Sequence, residues 1–129
     1  MDQGIHEVRL LVTAGDADDV LKSLTGLADW LSAPPSVYSH LPIGAKMSLS
    51  DEFLRLEPRN IRLLATKQSE DGKALIIRLQ EVVGSASKAR LSLGKDMANQ
   101  SFSFKPFEIK TIRVAKSGKC REVGLIGEH

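Results

Sequence analysis

The sequence predicts a mainly β fold, an antiparallel β-sandwich with one amphipathic helix near the N-terminus. Two observations predict it. Beyond residue 52, short segments that alternate apolar and polar residues are separated by turn residues at regular intervals. Before residue 36, one segment repeats apolar residues at spacings of three and four, the period of a helix.

The helix is predicted to follow Gly15. Asp16, Asp18 and Asp19 suit a helix start, because their side chains cap free backbone N–H groups and complement the helix dipole. Pro34-Pro35 ends it. Its apolar stripe consists of Val20, Leu21, Leu24, Leu27, Ala28 and Leu31. The aliphatic segment Ile5–Val12 upstream predicts a strand with one buried face.

The remaining strands are predicted from alternation and from the turns between them. Asp71-Gly72 supplies the positive φ angles of a tight hairpin turn between two of them. In the second arm of this hairpin, Leu75, Ile77 and Leu79 face the core. The segments expected as strands are 53–56, 61–68, 73–82, 89–93, the region of Phe102 and Phe104, 107–115 and 123–126.

Length and composition predict one domain over residues 1–129. The chain is 42% hydrophobic and 26% charged, which is typical of a globular protein. It has no run of roughly 18 apolar residues and no signal-like start, so no membrane partner is expected. A single cysteine, Cys120, cannot form an internal disulfide and favours a reducing, cytoplasmic location.

Metal-binding residues are sparse. The three histidines, His6, His40 and His129, have no second histidine or cysteine at zinc-ligand spacing, and Cys120 has no cysteine partner. Asp2 and His6 are close in sequence, but two ligands do not define a site. The sequence therefore predicts no metal-binding residue.

Catalytic motifs are equally sparse. Glu81 and Glu108 lie in strand-like segments, and a glycosidase needs two carboxyl groups. However, Glu81 is near a strand end, where a solvated or turn-stabilising role is common, and Glu108 shares a face with Lys110. There is no nucleophile elbow and no glycine-rich phosphate loop. The sequence predicts no catalytic and no cofactor-binding residue.

Charge is unevenly distributed. Residues 1–64 carry six basic and nine acidic residues, a net −3, and residues 65–129 carry twelve and seven, a net +5. A basic stripe can bind phosphates, but the six aromatic residues leave little for base stacking. Edge-strand lysines that discourage aggregation are the favoured interpretation, and nucleic acid is not the expected partner. The residues of this stripe are Lys105, Lys110, Arg113, Lys116, Lys119 and Arg121.

Residues 60–81, NIRLLATKQSEDGKALIIRLQE, resemble a hairpin of the family 38 glycoside hydrolases, the α-mannosidases. In that hairpin a strand ending in Lys is followed by Glu-Asp-Gly and by a strand ending in Leu-Arg-Leu-Tyr-Glu. Gln80 replaces the usual Tyr. The matching residues are Lys67, Glu70, Asp71, Gly72, Arg78, Leu79 and Glu81. Further similarities are PFEIKTI at 106–112, the Asp2-x-Gly4-x-His6 start and the helix-to-proline connection at 28–35.

The resemblance implies the non-catalytic C-terminal β-sandwich domain of an α-mannosidase. In that family the zinc ligands and the carboxylate nucleophile belong to an N-terminal catalytic domain, which would be the partner of this chain. Zinc is therefore expected in the parent enzyme, which hydrolyses α-mannosyl linkages with retention, and not in this chain. The alternative is a stand-alone β-sandwich module that binds carbohydrate or protein.

Overall fold

A computed structural model describes residues 4–36, 53–94 and 99–125. The chain divides into two units, Met1–Leu41 and Pro42–His129, each with its own internal contacts. Among the described residues, the first contains the helix and the second contains seven strands. The sequence-based assignment of one domain to residues 1–129 stays a prediction.

The predicted helix is confirmed as α1, Ala17–Ser32. Asp16 is its N-cap, with a side chain that accepts a hydrogen bond from the Asp18 amide at 3.2 Å. The helix ends where the Ala33 amide donates to the Asp29 carbonyl at 2.8 Å, just before the two prolines. None of its residues is fully buried.

The predicted strand at Ile5–Val12 is wrong. Residues 5–14 form no helix or strand, and every described residue from 4 to 19 is exposed. A strand exists through its ladder of hydrogen bonds to a neighbour, and no described strand pairs with this segment. Aliphatic composition alone therefore does not make this segment a strand.

The seven strands form two antiparallel sheets, which confirms the predicted mainly β sandwich with one helix. The three-stranded sheet has the order β1-β4-β5 and the four-stranded sheet the order β2-β3-β6-β7. The strands are β1 Leu54–Glu57, β2 Ile61–Gln68, β3 Ala74–Glu81, β4 Ser87–Leu93, β5 Gln100–Phe104, β6 Ile109–Ala115 and β7 Cys120–Val123.

One apolar core joins the two sheets. Leu91 of β4, Ile77 and Leu79 of β3 and Ile112 of β6 are completely buried in it. The other buried members are Ile61, Ala89, Leu93, Phe104 and Val114. Leu75, the third residue predicted to face the core from β3, is partly buried against the same cluster. Alternate positions of β4 and β5 supply the core, as the period-two pattern predicts, whereas β2 contributes only Ile61.

Several strand boundaries differ from the prediction: β1 is Leu54–Glu57 and not 53–56, β3 is Ala74–Glu81 and not 73–82, and β4 begins at Ser87 and not at residue 89. The sixth strand begins at Ile109 because Phe107 lies in a turn with φ +58°. The last strand is Cys120–Val123, although the sequence predicted 123–126. Its polar residues pair with β6 through their backbones, so hydrophobicity did not mark it; residue 126 lies outside the described residues.

The turn between β2 and β3 also differs in detail. Of Asp71 and Gly72, only Gly72 has a positive φ, +66°, so this is not the two-residue turn that Asp-Gly predicted. The Gly72 amide instead donates to the Ser69 carbonyl at 2.8 Å, and the Ser69 amide donates to the Ala74 carbonyl at 2.9 Å. The side chain of Asp71 stabilises the turn by accepting hydrogen bonds from Ser69 and Lys73.

The described part of the chain contains no helix that is long and apolar enough to cross a membrane.

We expect Ile77→Asn to unfold the sandwich unit at moderate denaturant. Ile77 has no exposed surface, so the change loses about 1.5–3 kcal/mol of apolar burial and leaves an amide without partners at a further cost of about 1–3 kcal/mol. Urea unfolding of the 129-residue chain, followed by circular dichroism, measures the loss. Ile109→Asn is the matched control, because Ile109 of β6 is 42% exposed. Equal losses in both variants would contradict the placement of the core.

Candidate functional site

Glu81 is the most unusual side chain of the sandwich. It is the last residue of β3 and lies two positions beyond Leu79, on the face that supplies the core. Its side chain is completely buried. Ionised groups are rarely buried without partners, so a buried carboxylate at this position is expected to accept several hydrogen bonds.

Five donors surround the Glu81 carboxylate. Oε1 accepts from Asn60 Nδ2 and from the Val83 amide, both at 3.0 Å. Oε2 accepts from the amides of Gly84 at 2.7 Å, Ser85 at 3.2 Å and Phe107 at 3.0 Å. We call Glu81, Asn60 and these backbone amides the Glu81 cluster.

The cluster keeps Glu81 ionised. Burial acts to raise the pKa of its carboxyl group, but the hydrogen bonds from Phe107, Val83, Asn60 and Gly84 outweigh it and bring the pKa to about 2. The hydrogen bonds favour the charged form because an ionised carboxylate accepts at both oxygens. Glu81 is thus a buried anion that donors from three chain segments stabilise.

The segments around Glu81 are shaped to present their donors. Asn60 also donates through Nδ2 to Ser87 Oγ at 2.6 Å, and its carbonyl accepts from the Val82 amide at 3.0 Å. Gly84 has φ +85°, and a Cβ at this position would lie 2.6 Å from Cζ of Phe107. The positive φ of Phe107 turns its amide toward Glu81. Backbone conformations that are costly elsewhere are used here to satisfy one carboxylate.

Glu81 and Glu108 do not have the properties of a glycosidase pair. The Glu81 amide donates to the Glu108 carbonyl at 3.0 Å, so the two residues are neighbours. The Glu108 carboxylate, however, accepts from the Lys105 amide at 2.7 Å and lies 3.4 Å from Lys110 Nζ. The Lys105 hydrogen bond and the Lys110 charge lower its pKa. A general acid needs a raised pKa, whereas the pKa values of Glu81 and Glu108 are both lowered.

Lys110 forms a second group of charged side chains with Glu108 and Glu122 at the same end of the sheet. Its Nζ donates to both carboxylate oxygens of Glu122 at 2.9 Å and lies 5.8 Å from the centre of the Phe104 ring. The Glu122 hydrogen bonds raise the pKa of Lys110. This cation is held in place by a carboxylate and an aromatic ring.

Asp71 stabilises the β2–β3 turn. Its Oδ1 accepts from Ser69 Oγ at 2.6 Å and from the Lys73 amide at 3.0 Å, and its Oδ2 accepts from Arg113 Nη2 at 2.7 Å. The Ser69 and Lys73 hydrogen bonds, together with Arg113, lower the pKa of Asp71 to about 2. The carboxylate thereby ties the hairpin turn to β6.

The structure brings no metal-ligand set together among residues 4–36, 53–94 and 99–125. His6 is exposed in the irregular N-terminal segment. Asp2, His40 and His129 lie outside the described residues. Cys120 is partly buried on β7, and this burial raises the pKa of its thiol. The prediction that this chain carries no catalytic, cofactor-binding or metal-binding residue stays a prediction.

A polar groove crosses the outer face of the three-stranded sheet. It has a volume of about 360 Å³ and is lined by Glu57, Pro58, Lys88, Arg90 and Ser101. Register places Glu57 opposite Arg90 and Arg90 opposite Ser101, so the lining residues come from three adjacent strands. Arg90 Nη1 lies 4.0 Å from Glu57 Oε2. The groove offers donors and acceptors but no aromatic ring.

Residues 60–102 match a family model described as the glycosyl hydrolases family 38 C-terminal beta sandwich domain. This segment, about a third of the chain, is therefore similar to that β-sandwich domain. It runs from Asn60 to the middle of β5 and includes the whole hairpin from which the resemblance was drawn. The similarities at the N-terminus, at 28–35 and at 106–112 lie outside it and stay predictions.

Two further comparisons identified no relative. Neither a curated protein nor a solved structure matches the chain. The similarity to family 38 therefore depends on the segment 60–102, which contains β2 and β3 of the four-stranded sheet and β4 of the three-stranded sheet.

Sequence reasoning noted Glu81 but missed its environment. In the sequence, Asn60 is only a residue between two predicted strands. The donors from Gly84 and Phe107 are backbone amides, which the residue type does not indicate. One signal was available, because Glu81 continues the spacing of Leu75, Ile77 and Leu79 on the buried face. A carboxylate at a buried register position indicates a cluster of donors.

Replacing Glu81 by Gln tests whether the cluster needs an anion. Gln has one acceptor oxygen, so its amide group would face two or three N–H donors in either orientation. We expect Glu81→Gln to lower the free energy of unfolding by about 2–4 kcal/mol. Glu70→Gln, in the exposed part of the β2–β3 turn, is the control and should change it by less than about 0.5 kcal/mol. A similar small effect in both variants would refute the cluster's role.

Acid should weaken the sandwich through the same carboxylate. The native pKa of Glu81 is about 2, below its ordinary value of 4.5, so the unfolded chain binds the extra proton first as pH falls. Stability is therefore complete above pH 4.5 and is lost toward pH 2, by on the order of 3 kcal/mol for this group. Urea unfolding at a series of pH values should give a shallower decline for Glu81→Gln than for the native chain. Identical slopes would show that folding does not lower the pKa of Glu81.

Proposed function

We propose that this chain is the non-catalytic C-terminal β-sandwich of an α-mannosidase and that it packs against an N-terminal catalytic domain. The observation that carries the proposal is the family 38 match over residues 60–102, which spans both sheets. A family 38 C-terminal domain implies a catalytic partner domain. The α-mannosyl specificity comes from the resemblance of the hairpin and is part of the proposal.

The carboxylates of the sandwich support a structural role. Those of Glu81, Asp71 and Glu108 each accept hydrogen bonds from backbone amides of this chain. Groups held in this way fix turns and strand ends, so they stabilise a surface on which another domain can pack. The zinc and the nucleophile of the parent enzyme would belong to that other domain. The cytoplasmic location expected from the lone Cys120 is a further part of the proposal.

The test compares the 129-residue chain with the product of its complete natural reading frame. We expect that frame to continue upstream by much more than one domain. Its product should hydrolyse an aryl α-mannoside with retention and should lose activity when zinc is chelated. The 129-residue chain assayed alone should do neither. An isolated chain that hydrolysed the mannoside and bound stoichiometric zinc would overturn the proposal.

The polar groove favours a second function, a module that binds carbohydrate. Its carboxylate, guanidinium, ammonium and hydroxyl groups are of the kinds that hydrogen-bond sugar hydroxyls. In the same set of experiments the isolated chain is titrated with mannan, with Arg90→Gln as the groove variant. Saturable binding that Arg90→Gln weakens would support the module, and the absence of binding would remove the carbohydrate version.

A further inference from the structure

A cleft on the outer face of the four-stranded sheet concentrates positive charge. It has a volume of about 240 Å³ and is lined by Arg113 and Ala115 of β6, by Lys119, and by Arg121 of β7. This volume is several times the roughly 30 Å³ that one water molecule occupies in the liquid. The residues of the Glu81 cluster do not line it.

The strand register explains how the cleft forms. Arg121 lies directly opposite Arg113 in the β6–β7 pair. The Ala115 amide donates to the Lys119 carbonyl at 2.9 Å, which places Lys119 opposite Ala115. A methyl side chain at Ala115 therefore leaves a depression between three long cationic side chains.

This arrangement opposes like charges. Two arginines directly across an antiparallel pair repel one another and destabilise the sheet. One carboxylate lies near them: Asp71 Oδ2 accepts from Arg113 Nη2 at 2.7 Å, while Asp71 Oδ1 is engaged by Ser69 and Lys73. In the part of the chain that the structure describes, no ion pair engages Lys119 or Arg121.

Protection of a sheet edge explains only part of this cluster of positive charge. β7 is an edge strand, and charged side chains on or beside it discourage pairing with another chain. Edge protection requires neither an arginine placed opposite Arg113 nor a depression beside it. An anion in the cleft would offset the repulsion that the register imposes.

We propose that this cleft binds a tetrahedral oxyanion, the sulfate or phosphate group of a small molecule or ester. Arg121 and Arg113 supply forked N–H donors that match two oxygens of such a group, and Lys119 adds a third positive charge. Asp71 orients Arg113 from the side of the hairpin turn. The proposal does not depend on the catalytic partner.

The test uses the melting temperature of the 129-residue chain at pH 7.5 in sodium chloride, sodium sulfate and sodium phosphate of equal ionic strength. In chloride, Arg121→Gln should be at least as stable as the native chain, because it removes a like-charge pair. In sulfate and in phosphate the native chain should become the more stable of the two. Lys119→Gln should likewise show a smaller rise in melting temperature from chloride to sulfate than the native chain.

The control separates binding from the general stabilisation that sulfate gives to folded proteins by exclusion from their surface. Arg59→Gln removes an exposed arginine between β1 and β2 that does not line the cleft, so it should keep the full native gain in sulfate. Isothermal titration with inorganic sulfate, inorganic phosphate and phenyl phosphate should show at least tenfold weaker binding to Arg121→Gln. Binding of phenyl phosphate as well as the free ions would identify an ester as an acceptable source.

Two results would overturn the proposal. An equal gain in sulfate for the native chain, Arg121→Gln, Lys119→Gln and Arg59→Gln would show that the cleft binds no anion. A loss of stability in Arg121→Gln that is the same in all three salts would show that Arg121 serves the fold alone.

Discussion

The sandwich depends on a buried anion. Glu81 ends β3 on the core face, and its carboxylate accepts from Asn60 before β2, from the amides at 83–85 and from Phe107 before β6. Asn60 in turn donates to Ser87 of β4, which belongs to the other sheet. One side chain therefore joins three chain segments of the four-stranded sheet to the start of a strand in its partner. A charge without these donors would be too costly to bury, so the segments and the carboxylate require one another.

This constraint bears on function. A carboxylate that five donors hold in the ionised form is suited to fix a fold, and it lacks the raised pKa that proton donation needs. The segment 60–102 that matches the family 38 C-terminal sandwich contains Asn60, Glu81 and Ser87, so most of the cluster lies within the matched sequence. Ligands have better access to the outer faces of the two sheets, where a mixed polar groove and a cationic cleft lie.

The sequence predicted the elements that depend on local patterns. Asp16 and Pro34 marked the ends of the helix, and alternation around Ile77 and Leu91 marked core strands, because both signals are contained within a few residues. It failed where a contact remote in sequence decides the outcome. Ile5–Val12 has strand composition but pairs with none of the described strands, whereas Cys120–Val123 has little hydrophobicity and pairs with β6. The Glu81 cluster was hidden for the same reason, since backbone amides from residues 83 to 107 supply most of its donors.

The ionisation of Glu81 in the native chain is the central claim, and it can be measured directly. Carbon-13 NMR of the Glu81 side-chain carboxyl group, followed from neutral pH downward in the folded protein, reports its protonation. A native midpoint near pH 2, or unfolding before any midpoint is reached, is the result that the cluster predicts. A midpoint at or above the ordinary value of 4.5 would show that the five hydrogen bonds do not stabilise the charged form and would contradict the account.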